Sequence, residues 1–265
     1  MDNKHFNEQA SSAPCIERVR HDTRRRSLTV ESITDITPGM RRIIFTGDEL
    51  ADFISLAPDD HIKIFIPTAD GEERRDYTPR RYDNAERRLT IDFALHEAGP
   101  ITQWALGARP GDRLEIGGPR GSAVVSASVK RWLLIGDETA LPAIGRRIEE
   151  SGAGTMITTI AAVAGPVEEQ AFETRADLHL HWAHWAHWAH WAHRPLSQAT
   201  DAASLLRLLA TVDIPPETFV WIAAEATVTR EIRNYLLTER AYPLSWIKAS
   251  GYWVFGKADA TEKFA

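Results

Sequence analysis

Arg75-Asp76-Tyr77-Thr78-Pro79-Arg80 places a guanidinium, a phenol and a hydroxyl at alternate and adjacent positions of one extended segment. Such a set can serve three parts of a flavin nucleotide. Arg75 can pair with phosphate, Tyr77 can lie along the ribityl chain or the ring, and Thr78 can hydrogen-bond near the redox edge. A solvated edge strand would carry the same residues, so the stretch needs company. Further on, Gly99-Pro100-Ile101-Thr102 opens a short helical segment, where free backbone N–H groups and the Thr102 hydroxyl can cradle a pyrophosphate. An ordinary capped turn has the same composition. Gly136-Asp137-Glu138-Thr139-Ala140-Leu141-Pro142 follows an apolar run and opens a helix, the setting that puts dinucleotide phosphates against backbone donors. It lacks the usual three glycines, and Asp137 and Glu138 equally suit the acids that a helix dipole favours in a first turn.

These segments need a scaffold, and the composition bounds it. A chain of 265 residues predicts two compact units of roughly 120 to 140 residues each. Hydrophobic residues at 43% and charged residues at 26% supply a core for each unit and argue against extended disorder outside the termini. The formal net charge of -6 is wrong for a nucleic-acid binder, so any anion site must be local. Cys15 is the one cysteine, and Met1 to Gln9 lacks the apolar core of a signal peptide. No run approaches the roughly 20 apolar residues of a membrane span. A cytoplasmic protein without stable membrane association is the expectation.

Residues 1–20 are polar, without hydrophobic periodicity, and read as a mobile arm. Strand signals follow at Ser27–Thr34, Arg41–Thr46, His61–Pro67, Asp76–Arg80, Leu89–His96 and Arg113–Gly117. They predict an antiparallel six-stranded barrel over residues 21–128, with Gln103–Ala108 as a helical insert. From residue 129 to 265 apolar runs alternate with helical segments, which predicts a doubly wound parallel sheet. Its strands are expected at Trp132–Gly136, Met156–Val163, Leu178–Trp182, Phe219–Ala224 and Trp246–Trp253, and its helices at Glu138–Ser151, Asp201–Thr211 and Thr227–Glu239.

Taken in order, Arg-x-Tyr-Thr-Pro from Arg75, Asp-Phe-x-x-His from Asp92, Gly99-Pro100, Pro-Gly-Asp-Arg-Leu from Pro110, Gly-Gly-Pro-Arg-Gly-Ser from Gly117, Gly-Asp-Glu-Thr-Ala-Leu-Pro-Ala-Ile from Gly136 and Gly251-Tyr252-Trp253 resemble the siderophore-interacting protein family. The resemblance spans residues 20 to 256. It implies a relative of ferredoxin reductases, with FAD on the barrel, NADPH or NADH on the parallel-sheet unit and a ferric siderophore as electron acceptor. It further implies that Arg75, Tyr77 and Thr78 hold the flavin, that Asp92, Phe93 and His96 form the adjoining wall, and that Gly99, Pro100 and Thr102 meet the FAD pyrophosphate. Gly136, Asp137, Glu138, Thr139 and Ala140, together with Glu225, match the nicotinamide-side loops. The family more often reads Gly-Glu-Ala where this chain has Ala224-Glu225-Ala226, which narrows the backbone approach there. Tyr252 and Trp253 would approach the flavin from a C-terminal segment that returns to its cleft; an aromatic there can stack on the ring or finish a core strand.

A large, commonly anionic chelate requires a local basic pocket, for which Lys63, Arg120 and Lys248 are the candidates, although each also suits a solvated surface. Arg230 and Arg233 are candidates for a 2'-phosphate. The implied reaction passes hydride to flavin and single electrons to iron, with no protein acid and no protein metal ligand. Two other readings share the sequence: a flavodoxin or ferredoxin reductase, and a non-catalytic siderophore or metal carrier. Finally, His181-Trp182-Ala183 recurs through His190-Trp191-Ala192 to His193-Arg194-Pro195, where the resembled family carries a single Trp-x-His-Arg. The run reads as a tandem duplication lengthening a surface loop. Its histidines can also line a metal or haem site, and its tryptophans a partner surface.

Overall fold

The computed structural model describes residues 13–69, 71–95, 99–184 and 198–264. The first part of the chain forms β1 (Ile16–Arg20), β2 (Arg25–Thr37), β3 (Met40–Thr46), β4 (Ile62–Thr68), β5 (Gly71–Tyr77), β6 (Arg81–Asp83), β7 (Arg88–Ala94), α1 (Pro100–Gly107), β8 (Arg113–Gly117) and β9 (Gly121–Val125). Strands β2 to β8 make one antiparallel sheet in the order β5-β4-β8-β2-β3-β7-β6. Alternate residues turn inward, so Leu28 and Val30, Ile43 and Phe45, Ile62 and Ile64, and Leu89, Ile91 and Phe93 fill one interior. The sheet curls upon itself. Tyr77 on the edge strand β5 meets Phe93 on β7 at 4.8 Å between ring centroids, although four strands separate them in the pairing order.

Seven strands build this barrel where the sequence predicts six. The polar hairpin arm Gly71-Glu72-Glu73-Arg74-Arg75-Asp76-Tyr77 and the three-residue β6 are the two sheet edges, which need no apolar face and so show no hydrophobic alternation. Asp76–Arg80, expected as a strand, is the end of β5 and the connection to β6. A second difference concerns residues 16–20, which fall within the expected arm. They form β1 and pair antiparallel with β9, Ile16 opposite Val125 and Arg20 opposite Gly121. Ile16 and Val19 do not alternate, and a partner so distant in sequence leaves no local signal.

The second part contains β10 (Arg131–Gly136), α2 (Leu141–Glu150), β11 (Met156–Val163), β12 (Asp177–His184), α3 (Ala203–Thr211), β13 (Thr218–Glu225), α4 (Ala226–Thr238), β14 (Ile247–Trp253) and β15 (Glu262–Lys263). Their order is β12-β11-β10-β13-β14-β15, parallel throughout except for β15. Every residue of β13 is buried, as expected for a parallel strand covered on both faces. On β10, Leu133 and Ile135 pack with α3 and α4, whereas Trp132 and Leu134 pack with α2, so helices cover both sides of the sheet. The strand order reverses beside β10, and the crevice beyond such a reversal is where ligands bind in open α/β sheets.

Buried polar contacts join the two parts. Arg146 of α2 donates to Ser55 Oγ at 2.7 Å, to the Ser55 carbonyl at 2.8 Å and to the Pro79 carbonyl at 3.0 Å. Arg80 grips Glu149 with two bonds of 2.5 and 2.8 Å. Glu168 accepts from Thr37 Oγ1 at 2.5 Å and from the Gly39 N–H at 3.0 Å. Among the described residues no helix is long and apolar enough to cross a membrane. His181, Trp182, Ala183 and His184 finish the edge strand β12, and the rest of the His-Trp-Ala run lies outside the described residues.

Candidate functional site

Between the barrel and the parallel sheet lies a cavity of about 1580 Å³. Its lining brings together Lys63, Arg75, Tyr77, Thr78, Asp92, Gly99, Pro100, Thr102, Arg120, Glu138, Thr139, Lys248, Tyr252 and Trp253. Phe93 stands one layer behind, in the barrel core under Tyr77. Gly136, Asp137, Ala140 and Glu225 are buried behind the wall, and His96 lies outside the described residues.

On the barrel side, burial pushes the Tyr77 phenol well above its ordinary value, so it remains a protonated donor. Thr78 is buried beside it. Arg75 donates to the Arg74 carbonyl at 2.6 Å and forms an ion pair with Glu73. Asp92 takes a bidentate grip from Arg42, both bonds 2.7 Å, with Arg80 at 3.5 Å. It is an ion-pair hub within the wall.

The start of α1 is open. Gly99 is its N-cap in extended conformation, Pro100 takes the first turn, and among the described residues no side chain caps the end. The first helical bond is that of the Gln103 N–H to the Gly99 carbonyl at 3.0 Å, which leaves the Ile101 and Thr102 N–H groups ahead of it. A Cβ at Gly99 would meet nothing within 4 Å. This cradle fits a pyrophosphate. Two buried wall atoms, Asp76 Oδ1 and Tyr252 Oη, also have no partner among the described residues. One is an acceptor and the other a donor, and a flavin ring edge carries both complementary functions.

On the parallel-sheet side, the carboxylates of Asp137 and Glu225 are taken up by the protein's own donors. Asp137 accepts from the Thr139 N–H at 3.0 Å, Thr139 Oγ1 at 2.6 Å, the Glu225 N–H at 3.0 Å and the Trp253 indole N–H at 3.0 Å. It ties together the carboxyl ends of β10, β13 and β14. Glu225 caps α4, accepting from the Thr227 N–H at 2.5 Å and the Val228 N–H at 3.2 Å, while its other oxygen takes the Phe255 N–H at 3.1 Å. Gly136 packs so closely that a Cβ would lie 2.6 Å from Ala140 Cβ and 2.7 Å from the Ala223 carbonyl. Only glycine lets α2 approach the strand there.

The three expected substrate cations differ. Lys63 sits between Asp76 at 3.0 Å and Asp259 at 2.5 Å, and Asp259 also takes Arg74 at 3.0 Å. Lys248 pairs with Asp59 at 2.6 Å. Burial alone would raise the Asp59 carboxyl, but the charge and hydrogen bond of Lys248 and the Trp221 N–H hold it below the usual range. Arg120 is exposed and has no ion-pair partner among the described residues. Of the 2'-phosphate candidates, Arg230 is bonded to both oxygens of Glu262 at 2.6 and 2.7 Å, and Arg233 is half-buried.

Residues 129–256 match the family described as siderophore-interacting protein, and residues 29–74 and 70–123 match the siderophore-interacting FAD-binding domain. The chain belongs to the siderophore-interacting protein family. An Escherichia coli (strain K12) relative named NADPH-dependent ferric-chelate reductase is 33% identical over 260 residues, 89% of this chain and 96% of that protein. A siderophore utilization protein from T. fusca superposes with a TM-score of 0.81 at 33% identity, covering 93% of this chain and 98% of the other. The ferredoxin reductase of carbazole 1,9a-dioxygenase, at 17% identity and a TM-score of 0.61 over 85% of this chain and 66% of its own, shares the fold. Membership makes the chain an FAD-dependent oxidoreductase with ferredoxin-reductase architecture.

In this siderophore-interacting protein the segment after β14 returns to the barrel. Asp259, with φ of 49°, is held in the left-handed region and delivers its carboxylate to Lys63 and Arg74. Neither Asp259 nor the cavity-lining Arg18 and Arg20 of β1 is apparent from the sequence, because β1 reaches the cleft by pairing with the distant β9 and Asp259 by ion pairs with Lys63 and Arg74 far earlier in the chain.

Proposed function

We propose that this protein reduces ferric iron held in a siderophore, taking hydride from NADPH or NADH through FAD, in the cytoplasm. The observation that carries the reading is the open start of α1 facing the same cavity as Tyr77, Thr78 and Trp253. In this reading residues 21–128 hold FAD, and residues 129–265 hold the nicotinamide cofactor and return a C-terminal segment to the flavin cleft. The Ile101 and Thr102 N–H groups and the Thr102 hydroxyl bind the pyrophosphate. Arg75 exchanges Glu73 for a phosphate oxygen, Tyr77 stays protonated along the ribityl chain, and Thr78 hydrogen-bonds near the ring. Trp253, held by Asp137 through its indole N–H, covers the ring from the parallel-sheet side and yields to nicotinamide. The loop from Glu138 to Pro142, beyond the carboxyl end of β10, receives the nicotinamide cofactor.

When bound, FAD supplies the conversion of a two-electron hydride donor into the single electrons that iron accepts. The chain's task is to keep the chelate near the ring edge, at the side where Arg120 lies. Ferrous iron binds hard oxygen donors more weakly than ferric iron does, so reduction itself frees the metal. A steady-state assay with NADPH or NADH, a ferric siderophore and a ferrous-specific trap tests the reading. Trapped ferrous iron that depends on added or bound FAD is the expected result. A protein that binds no flavin, or that delivers electrons to a ferredoxin-type acceptor and to no ferric chelate, would overturn it.

A further inference from the structure

Strands β10 and β11 are parallel neighbours joined by α2, which makes them one strand-helix-strand unit. The start of α2 is open. Ala140 is its N-cap, and among the described residues no side chain caps the end. The Ile144 N–H bonds to the Ala140 carbonyl at 3.0 Å, which leaves the Leu141 and Ala143 N–H groups ahead of it. In such a unit a dinucleotide sets its pyrophosphate against the helix start, and an acid near the end of the second strand accepts from its ribose hydroxyl. Glu168 occupies that place, in the loop beyond Val163, the last residue of β11. It is 6% exposed and lines the cavity. Its Oε2 is fixed by Thr37 Oγ1 and the Gly39 N–H, whereas its Oε1 is buried without a partner among the described residues. Gln170 lines the same cavity, and its buried Nε2 likewise has no partner among the described residues.

A fixed acceptor and a donor complement a vicinal diol. Beside Gly39, the cavity-lining Met40, Ala94, Leu141 and Val163 pack together, an apolar wall suited to a nucleobase. Charge then decides which nucleotide fits. Among the described residues, none of the lysines and arginines that line the cavity belongs to β10, β11 or the loops that follow them. Arg230 and Arg233 of α4, the candidates for a 2'-phosphate, do not line it. A 2'-phosphate would set its negative charge against the Glu168 carboxylate with no cation from these segments to offset it. We infer that Glu168 reads the adenosine ribose of the nicotinamide donor, accepting from its 2'-hydroxyl while Gln170 donates to a ribose oxygen, and that it makes NADH the preferred donor. NADPH then serves as the weaker one. The inference rests on the reading of the parallel-sheet unit as the nicotinamide-binding part of a reductase. The adenosine ribose of FAD carries the same diol, but Glu168 follows the second strand of the unit whose helix start is open, which favours the nicotinamide donor.

The test is anaerobic reduction of the FAD-loaded protein by NADH and by NADPH over a range of concentrations, followed at the flavin absorbance, with FAD retention measured alongside by ultrafiltration. Wild type is compared with Glu168→Gln, whose amide carbonyl can still accept from Thr37 and Gly39 but which carries no charge. Wild type is expected to reach half-saturation with NADH at a concentration about tenfold below that for NADPH. In the variant the two values should come within about twofold, the NADH value rising and the NADPH value falling. Gln170→Leu, which leaves the Thr37 and Gly39 bonds intact, should raise the NADH value about threefold. FAD retention should be the same in all three proteins. A wild type that prefers NADPH, or a Glu168→Gln variant with an unmoved donor ratio, would overturn the inference. So would a loss that appears in FAD retention, which would assign the diol to FAD. If Glu168→Gln does not fold, equal use of both donors by wild type or an unmoved NADH value in Gln170→Leu decides against it. A wild-type flavin that neither donor reduces takes the functional reading down as well.

Discussion

Helices α1 and α4 begin with opposite arrangements. The first starts at Gly99, with no side-chain cap and nothing within 4 Å of where a Cβ would point among the described residues. The second starts at Glu225, whose carboxylate already satisfies the Thr227 and Val228 N–H groups. Both helix starts carry the partial positive charge that favours anions. A phosphate can use that charge only where the chain has not supplied an anion of its own. The residue at the N-cap therefore decides which of these two helix starts serves a ligand and which serves the fold: α1 is left open, and α4 is closed by its own carboxylate.

That contrast can be broken at several points. The parallel-sheet side should yield the largest stability losses. Gly136→Val would force a side chain against Ala140 and the Ala223 carbonyl, at a cost of about 3 kcal/mol read from the urea midpoint. Glu225→Ala removes the acceptor of three N–H groups and should cost about 2 kcal/mol, with FAD affinity unchanged. A fall in FAD affinity matching that loss would show that α4 is not simply a structural helix start. At α1 the pattern reverses. Gly99→Ala suits the backbone there and should leave stability within about 0.5 kcal/mol, while weakening FAD binding about tenfold in a fluorescence titration.

The smallest effect concerns the C-terminal segment. Burial would raise the Asp259 carboxyl, but hydrogen bonds and charge from Lys63 and Arg74 hold it below its ordinary range. A depressed folded-state value contributes stability that is complete above the ordinary aspartate range and is lost as pH falls through the depressed value. Thermal melts should place Asp259→Asn less than about 1 kcal/mol below wild type at neutral pH, with the difference fading in acid. A difference that grows on acidification would contradict the ion-pair assignment.

What the sequence reveals follows from where each signal resides. Arg113–Gly117 and Met156–Val163 are strands at the expected bounds because burial of one face or both faces writes itself into local composition. Gly71–Asp76 has no such pressure at a sheet edge, and β1 depends on a partner after Arg120. For the site, residue types locate the three loops that surround the cavity but not the direction in which their side chains point. Asp137 and Glu225 lie in the expected loops, yet both carboxylates turn toward the protein's own donors. Lys63 and Lys248 reach the cavity, yet their counter-charges Asp259 and Asp59 come from elsewhere in the chain. Such pairings are properties of tertiary contact, which spacing along one segment does not encode.

Anaerobic single-turnover kinetics tests electron delivery to the chelate most directly. Protein reduced with NADPH is mixed with excess ferric tris-catecholate and a ferrous-specific trap while the flavin absorbance is followed. Return of the oxidised spectrum with about two trapped ferrous ions per flavin is the predicted result. A flavin that stays bleached in the presence of the chelate would contradict the account.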